Sequence, residues 1–198
     1  MSIHTPWGQS DHSEKIADGI TLYTTPSHGG LLVSAERVKK MHASLARISG
    51  YGSRCGGRWF EEDCEFAAVV AAFPEEFEAK GYKRELSHQS LKNWHPVEYI
   101  DVFGPFPHDE SCVLRQQRFR HIHKEDLVVV SAVGIDGGMV ACTAVKGGRM
   151  QNGSYPPGEP LRKFIVPSKE YDTRDPDGGF VIDPERHLEE KETADAGA

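Results

Sequence analysis

Apolar and polar residues alternate over positions 20–25, and a second short apolar run follows at 31–34. Pro26 to Gly30 between them carry loop chemistry, so the stretch predicts a β-hairpin with His28 near its tip. Ser34 can cap a helix running to about position 49, because Val38, Met41, Leu45 and Ile48 then share one face and Gly50 ends it. After the glycine-rich loop 50–57 the pattern predicts a helix over 59–72, which Pro74 interrupts and restarts at Glu75-Glu76-Phe77. Further helices are expected over 87–94, 96–103 and 108–124.

The period changes at Leu127. Runs 127–133 and 138–145 flank Gly134-Ile135-Asp136-Gly137 and predict a second hairpin, with short strands at 161–166 and 179–182. Helices in the middle and strands at both ends predict an α+β fold. The expected form is a mostly antiparallel sheet, built from the N-terminal hairpin and the C-terminal strands, with the central helices on one face. One domain is expected over 1–187. The acidic stretch 188–198 reads as a solvated, disordered tail.

Composition narrows the class. The chain has 198 residues, 38% of them hydrophobic and 27% charged, which suits a globular domain large enough to bury a core. No apolar run approaches the ~20 residues that cross a bilayer, and the N-terminus lacks a signal-peptide pattern. The four cysteines, Cys55, Cys64, Cys112 and Cys142, are scattered, which points to reduced thiols in a cytoplasm. A net charge of −7 disfavours charge-driven nucleic-acid binding. The exception is Arg115, Arg118, Arg120, His121, His123 and Lys124 on one predicted helix, either a phosphate-contacting patch or a solvated face.

Two polar islands interrupt core-forming sequence. One is Ser27-His28-Gly29-Gly30; the other is Trp59-Phe60-Glu61-Glu62-Asp63-Cys64-Glu65. On a helix from 59, Asp63 shares the core face with Trp59, Phe66 and Val70, whereas Glu61 and Glu65 project away from it. Asp63 then either uses the free amides of a first turn or orients an imidazole such as His28. Cys64 is either an activated thiol near a helix N-terminus or a small buried residue. Gly29 and Gly30 either close the hairpin or let a ligand or backbone approach. A third island, Asn93-Trp94-His95-Pro96, either lines a pocket or ends a helix.

No spacing in the chain specifies a metal or a cofactor. Cys-x-x-Cys, His-Glu-x-x-His, the Walker loop and the dinucleotide-binding glycine pattern are all missing. Asp175-Pro176-Asp177-Gly178 reads as a turn rather than a calcium loop.

Taken in order, Thr5-Pro6-Trp7-Gly8, Ser27-His28-Gly29-Gly30, the run from Trp59 to Glu65, and Leu91-Lys92-Asn93-Trp94-His95-Pro96 resemble an uncharacterised domain family. That family is carried by bacteriophages, plasmids and related mobile elements. The resemblance implies an accessory protein acting in a bacterial cytoplasm, and it carries no residue-level activity. The expected function is binding to a host or defence protein. The alternative is a small hydrolase or transferase using His28, Asp63, Cys64 and His95. Ser27, Gly29, Gly30, Trp59, Glu62, Asn93 and Trp94 form the expected binding surround.

Overall fold

A computed structural model describes residues 3–176 and 179–190. A short hairpin, β1 (His4–Thr5) and β2 (Gly8–Gln9), opens the chain. Three longer strands follow, β3 (His12–Ala17), β4 (Ile20–Thr24) and β5 (Gly29–Val33), then two short helices, α1 (Ala35–Val38) and α2 (Ala43–Ile48). Next come β6 (Tyr51–Gly52), β7 (Arg58–Glu61), α3 (Phe66–Ala72), α4 (Pro74–Glu78), α5 (Arg84–Trp94) and α6 (Pro96–Phe103). A 3-10 turn at His108–Glu110 precedes α7 (Cys112–Ile122). The chain then forms β8 (Leu127–Ile135), β9 (Met139–Lys146), β10 (Arg162–Pro167), α8 (Ser168–Tyr171), β11 (Val181–Ile182) and β12 (Leu188–Glu189).

The protein is α+β, with its helices beside antiparallel sheets. The strands expected to share one sheet form two. One five-stranded sheet runs β3-β4-β5-β7-β6, and the other runs β11-β8-β9-β10-β12. The chain divides into two compact units, 1–114 and 115–198. Each buries its own apolar cluster. Ile20, Leu31, Val33, Phe60, Phe77 and Leu91 centre the first; Cys142, Phe164, Val166 and Ile182 centre the second. A pleated sheet buries one face only against a partner layer, so two sheets with two buried faces make two cores.

Local chemistry explains most boundaries. Ser34 caps α1 as expected, its Oγ accepting from the Arg37 amide at 3.3 Å. The single helix expected to position 49 breaks because His42 starts a second one, its Nδ1 accepting from the Ser44 amide at 3.2 Å. Met41 and Leu45 still reach the core from either side of the break. Likewise Ser111 divides the helix expected over 108–124, its Oγ accepting from the Leu114 amide at 3.3 Å. α6 occupies 96–103 as predicted, with Pro96 in its first turn and Gly104 at φ 90° ending it.

The largest correction falls on 59–72. Residues 58–61 are a strand paired with β5, Phe60 opposite Leu31 and Trp59 opposite Leu32, and the helix starts only at Phe66. Period-2 burial of Phe60 against Leu31 overrides the helical phase that the apolar spacing suggested. β3, an edge strand, escaped notice because its exposed face is polar; of its six residues only Ile16 is buried. At the other end, Leu188 and Glu189 pair with Ile165 and Phe164, so ordered chain continues past 187. Residues 191–198 of the expected tail, and Asp177 and Gly178 of the expected turn, lie outside the described residues.

Candidate functional site

Gly29 and Gly30 are not in the left-handed region, so neither is needed for a turn conformation. Their missing side chains make room. A Cβ on Gly30 would overlap the Trp7 ring, at 2.7 Å from its Cζ3, and would stand 2.6 Å from the Phe60 carbonyl oxygen. A Cβ on Gly29 would overlap Glu62 Oε2 and lie 3.2 Å from Glu62 Cδ. Three of the motifs quoted from the sequence therefore meet at one place, with the indole and a carboxylate packed onto the glycines.

Register puts the surrounding groups on one face of the sheet. Gly30 pairs with Tyr23 on one side and with Glu61 on the other, and Trp59 pairs with Tyr51. Leu31, Val33 and Phe60 point the opposite way, into the core. Trp7 sits edge-on to Trp59 at 5.8 Å and to Tyr51 at 6.2 Å, and Tyr23 to Trp59 at 5.5 Å. Such contacts set rings at near right angles and give the face a fixed aromatic wall.

At the edge of this wall stand His28, Glu61 and Glu62, each offering a ligand atom within 4.8 Å of the other two. His28 is pinned by its backbone. Its carbonyl accepts from the Thr25 amide at 2.7 Å and from Thr25 Oγ1 at 2.8 Å, and its amide donates to Thr25 Oγ1 at 3.1 Å. The Glu62 amide donates to the Gly29 carbonyl at 3.1 Å, tying the two segments together. The carboxylate facing His28 is that of Glu61, with Oε1 at 3.9 Å from Nδ1. Burial, together with Asp63, Glu62 and Glu65 nearby, pushes the Glu61 carboxyl above the usual carboxylate range.

This corrects the expected pairing. Asp63 does not point into the core; it is exposed, in the turn between β7 and α3, and its amide donates to Glu61 Oε2 at 3.1 Å. Glu61 does not project into solvent, since only 19% of its side chain is exposed. Glu65 accepts from the Glu61 amide at 3.0 Å and the Gly50 amide at 3.3 Å, bracing the end of β7. Cys64 is half-buried. Burial and the carboxylates of Glu61, Glu65 and Asp63 push its thiol pKa up, which works against a thiolate.

The third island does not join this cluster. Asn93 Oδ1 accepts from the Cys112 amide at 3.3 Å and from Gln89 Nε2 at 3.2 Å, a structural clasp. His95 lies between α5 and α6, and its Nε2 is buried without a hydrogen-bond partner among the described residues. Burial lowers its pKa, against the opposing pull of Glu98 and Glu65. Trp94 is exposed, as is Ser27 at the hairpin tip. Among the described residues no hydrogen bond or ion pair links the side chains of His28, Asp63, Cys64 and His95.

Two hollows lay beyond sequence reading. In the first unit a groove of about 200 Å³ runs beside Glu62 and Asp63, floored by Phe66, Ala67 and Val70. In the second unit a cavity of about 260 Å³ is lined by Gln116, Phe119, Arg120 and Arg149. Of the basic run, Arg120 reaches that cavity, while His123 contacts Asp126 at 2.8 Å and stacks near Phe119. Arg118 and Lys124 are exposed.

The fold and this sheet face define an α+β domain in which an indole and a carboxylate take the places of two missing Cβ atoms. Residues 1–124, more than half of the chain, match the family described as Domain of unknown function (DUF7007), and the chain belongs to it. The match takes in all four motifs and the whole first unit. Comparison with curated proteins and with solved structures finds no match. No helix among the described residues is long and apolar enough to cross a membrane.

Proposed function

We propose that this chain is a mobile-element accessory protein that works in the bacterial cytoplasm by binding a host or defence protein. The observation that carries the reading is the outer side of the α5–α6 corner. Trp94, at the end of α5, is 52% exposed, and Val97, Ile100 and Phe103, spaced three apart along α6, are 73%, 40% and 39% exposed. Grouped apolar exposure of this kind marks interaction surfaces, and tryptophan is enriched among their anchoring residues. Glu98 and Asp101 lie on the same helix, so the fitting partner is a protein with an apolar pocket and a basic rim.

The test places a photo-crosslinking amino acid at Val97 in the full chain, with Lys39 as an equally exposed control. In bacterial host cells the Val97 position is expected to give a discrete adduct with a second protein, lost when Trp94→Ala and Ile100→Asp are added. An adduct equal to that from Lys39, or none, refutes the reading. A small hydrolase or transferase is the second reading, favoured only by the approach of Glu61 to His28. In that case Glu61, not Asp63, partners the imidazole as acid or base.

A further inference from the structure

The edge of the aromatic wall holds a cluster that the docking face on α6 does not use. His28 precedes β5, while Glu61 ends β7 and Glu62 follows it. Their ligand atoms lie within 4.8 Å of one another, yet His28 Nδ1 and Glu61 Oε1, at 3.9 Å, are too far apart for a hydrogen bond. Among the described residues Glu62 makes no side-chain hydrogen bond. Glu61 spends one oxygen on the Asp63 amide and keeps the other toward His28. Arg58, the nearest base along the strand, donates instead to the Ala46 carbonyl at 2.9 Å. Four acids, Glu61, Glu62, Asp63 and Glu65, thus crowd one strand end, with the His28 imidazole facing Glu61.

We propose that His28, Glu61 and Glu62 bind a divalent first-row transition-metal ion through one imidazole nitrogen and two carboxylate oxygens. Bonds of about 2.0–2.2 Å hold neighbouring ligand atoms roughly 3.0–3.5 Å apart. The present spacing therefore closes with movements of up to about 1–2 Å at His28 and Glu62, both exposed and both tethered by the backbone. Water completes the shell on the open side.

Gly29 accounts for the place of one of these ligands. Its backbone conformation suits any residue, yet a Cβ there would occupy the place of the Glu62 carboxylate. Glycine at 29 is what lets Glu62 lie beside His28. The ligand chemistry selects the ion. An imidazole suits iron, nickel, copper and zinc, and the two carboxylates also admit manganese, whereas magnesium and calcium favour all-oxygen sets. The motif spacings used for zinc miss such a site because its ligands come from two strands joined only by pairing.

The experiment uses the full chain and Mn²⁺, which the thiols bind weakly. Sub-stoichiometric Mn²⁺ is expected to broaden the amide resonances of residues 28–30 and 61–62 selectively. Free Mn²⁺ counted by electron paramagnetic resonance is expected to show at least a tenfold affinity loss in His28→Asn and in Glu62→Gln. The control His121→Asn leaves it unchanged. Wild-type affinity in both site variants overturns the proposal. So does broadening centred on other residues, or equal competition by Mg²⁺, which would mark charge-driven adsorption. Loss of the α6 crosslink does not bear on these readouts, so the two proposals fail separately.

Discussion

Gly30→Ala tests the packing that joins the first two motifs. The added Cβ would stand 2.6 Å from the Phe60 carbonyl oxygen and 2.7 Å from Trp7 Cζ3, both inside normal contact. Phe60 cannot retreat easily, because its strand is locked to β5 through four residue pairs from Gly30–Glu61 to Val33–Arg58. Trp7 can move, but only by giving up its edge contacts with Trp59 and Tyr51. Overpacking of this kind costs about 1–3 kcal/mol. Replacing glycine in a strand returns about 0.5–1 kcal/mol through the backbone entropy of the unfolded chain. The net expectation is a loss of about 1–2 kcal/mol.

Urea unfolding followed by tryptophan fluorescence would measure it, with Gly52→Ala as control. A Cβ at Gly52 meets nothing within 4 Å and its backbone is ordinary, so that variant is expected to be neutral or slightly stabilising. In a Trp7→Ala background the cost of Gly30→Ala should fall, because the ring is gone, but not vanish, because the Phe60 oxygen remains. A Gly30→Ala protein as stable as wild type, or a cost independent of Trp7, refutes the packing argument.

Two other outcomes follow from the charge environment. Burial lowers the pKa of both His88 and His95, so as pH falls below the ordinary histidine value of about 6.5 the unfolded chain takes up protons that the folded chain refuses. Stability should therefore be complete above that pH and decline as pH drops toward the lower folded values. A His88→Asn/His95→Asn variant should have a flatter profile between pH 7 and 5.5 in urea melts, and an unchanged slope would refute this. Cys55 is exposed, whereas burial and neighbouring acids raise the Cys64 pKa, so iodoacetamide at pH 7 should label Cys55 first, as peptide mapping would show. Faster labelling at Cys64 would contradict the described site.

Local signals were legible wherever the determinant was local. Pro96 and Gly104 bracket α6, Ser34 caps α1, and the glycines between β8 and β9 turn the second hairpin. The α+β class followed from the same punctuation. The candidate site was half legible: His28, Glu62, Gly29, Gly30 and Trp59 stood out as residues, but their partners did not. Trp7 entered only as part of a motif. Glu61 was assigned to solvent because 59–72 carries a helical apolar spacing.

The sequence by itself determined element types over most of the chain, the acidic character, and which motifs were unusual for a core. Tertiary structure alone decided that 58–61 is a strand, since the burial of Phe60 against Leu31 depends on a segment some thirty positions away. It also decided that the strands form two sheets. Pairing partners are set by long-range burial and register, which no local window contains. The same holds for Gly29 and Gly30. What a missing Cβ makes room for is written on the neighbouring strand and in the N-terminal hairpin, and only folding brings Glu62 and Trp7 to the place it leaves.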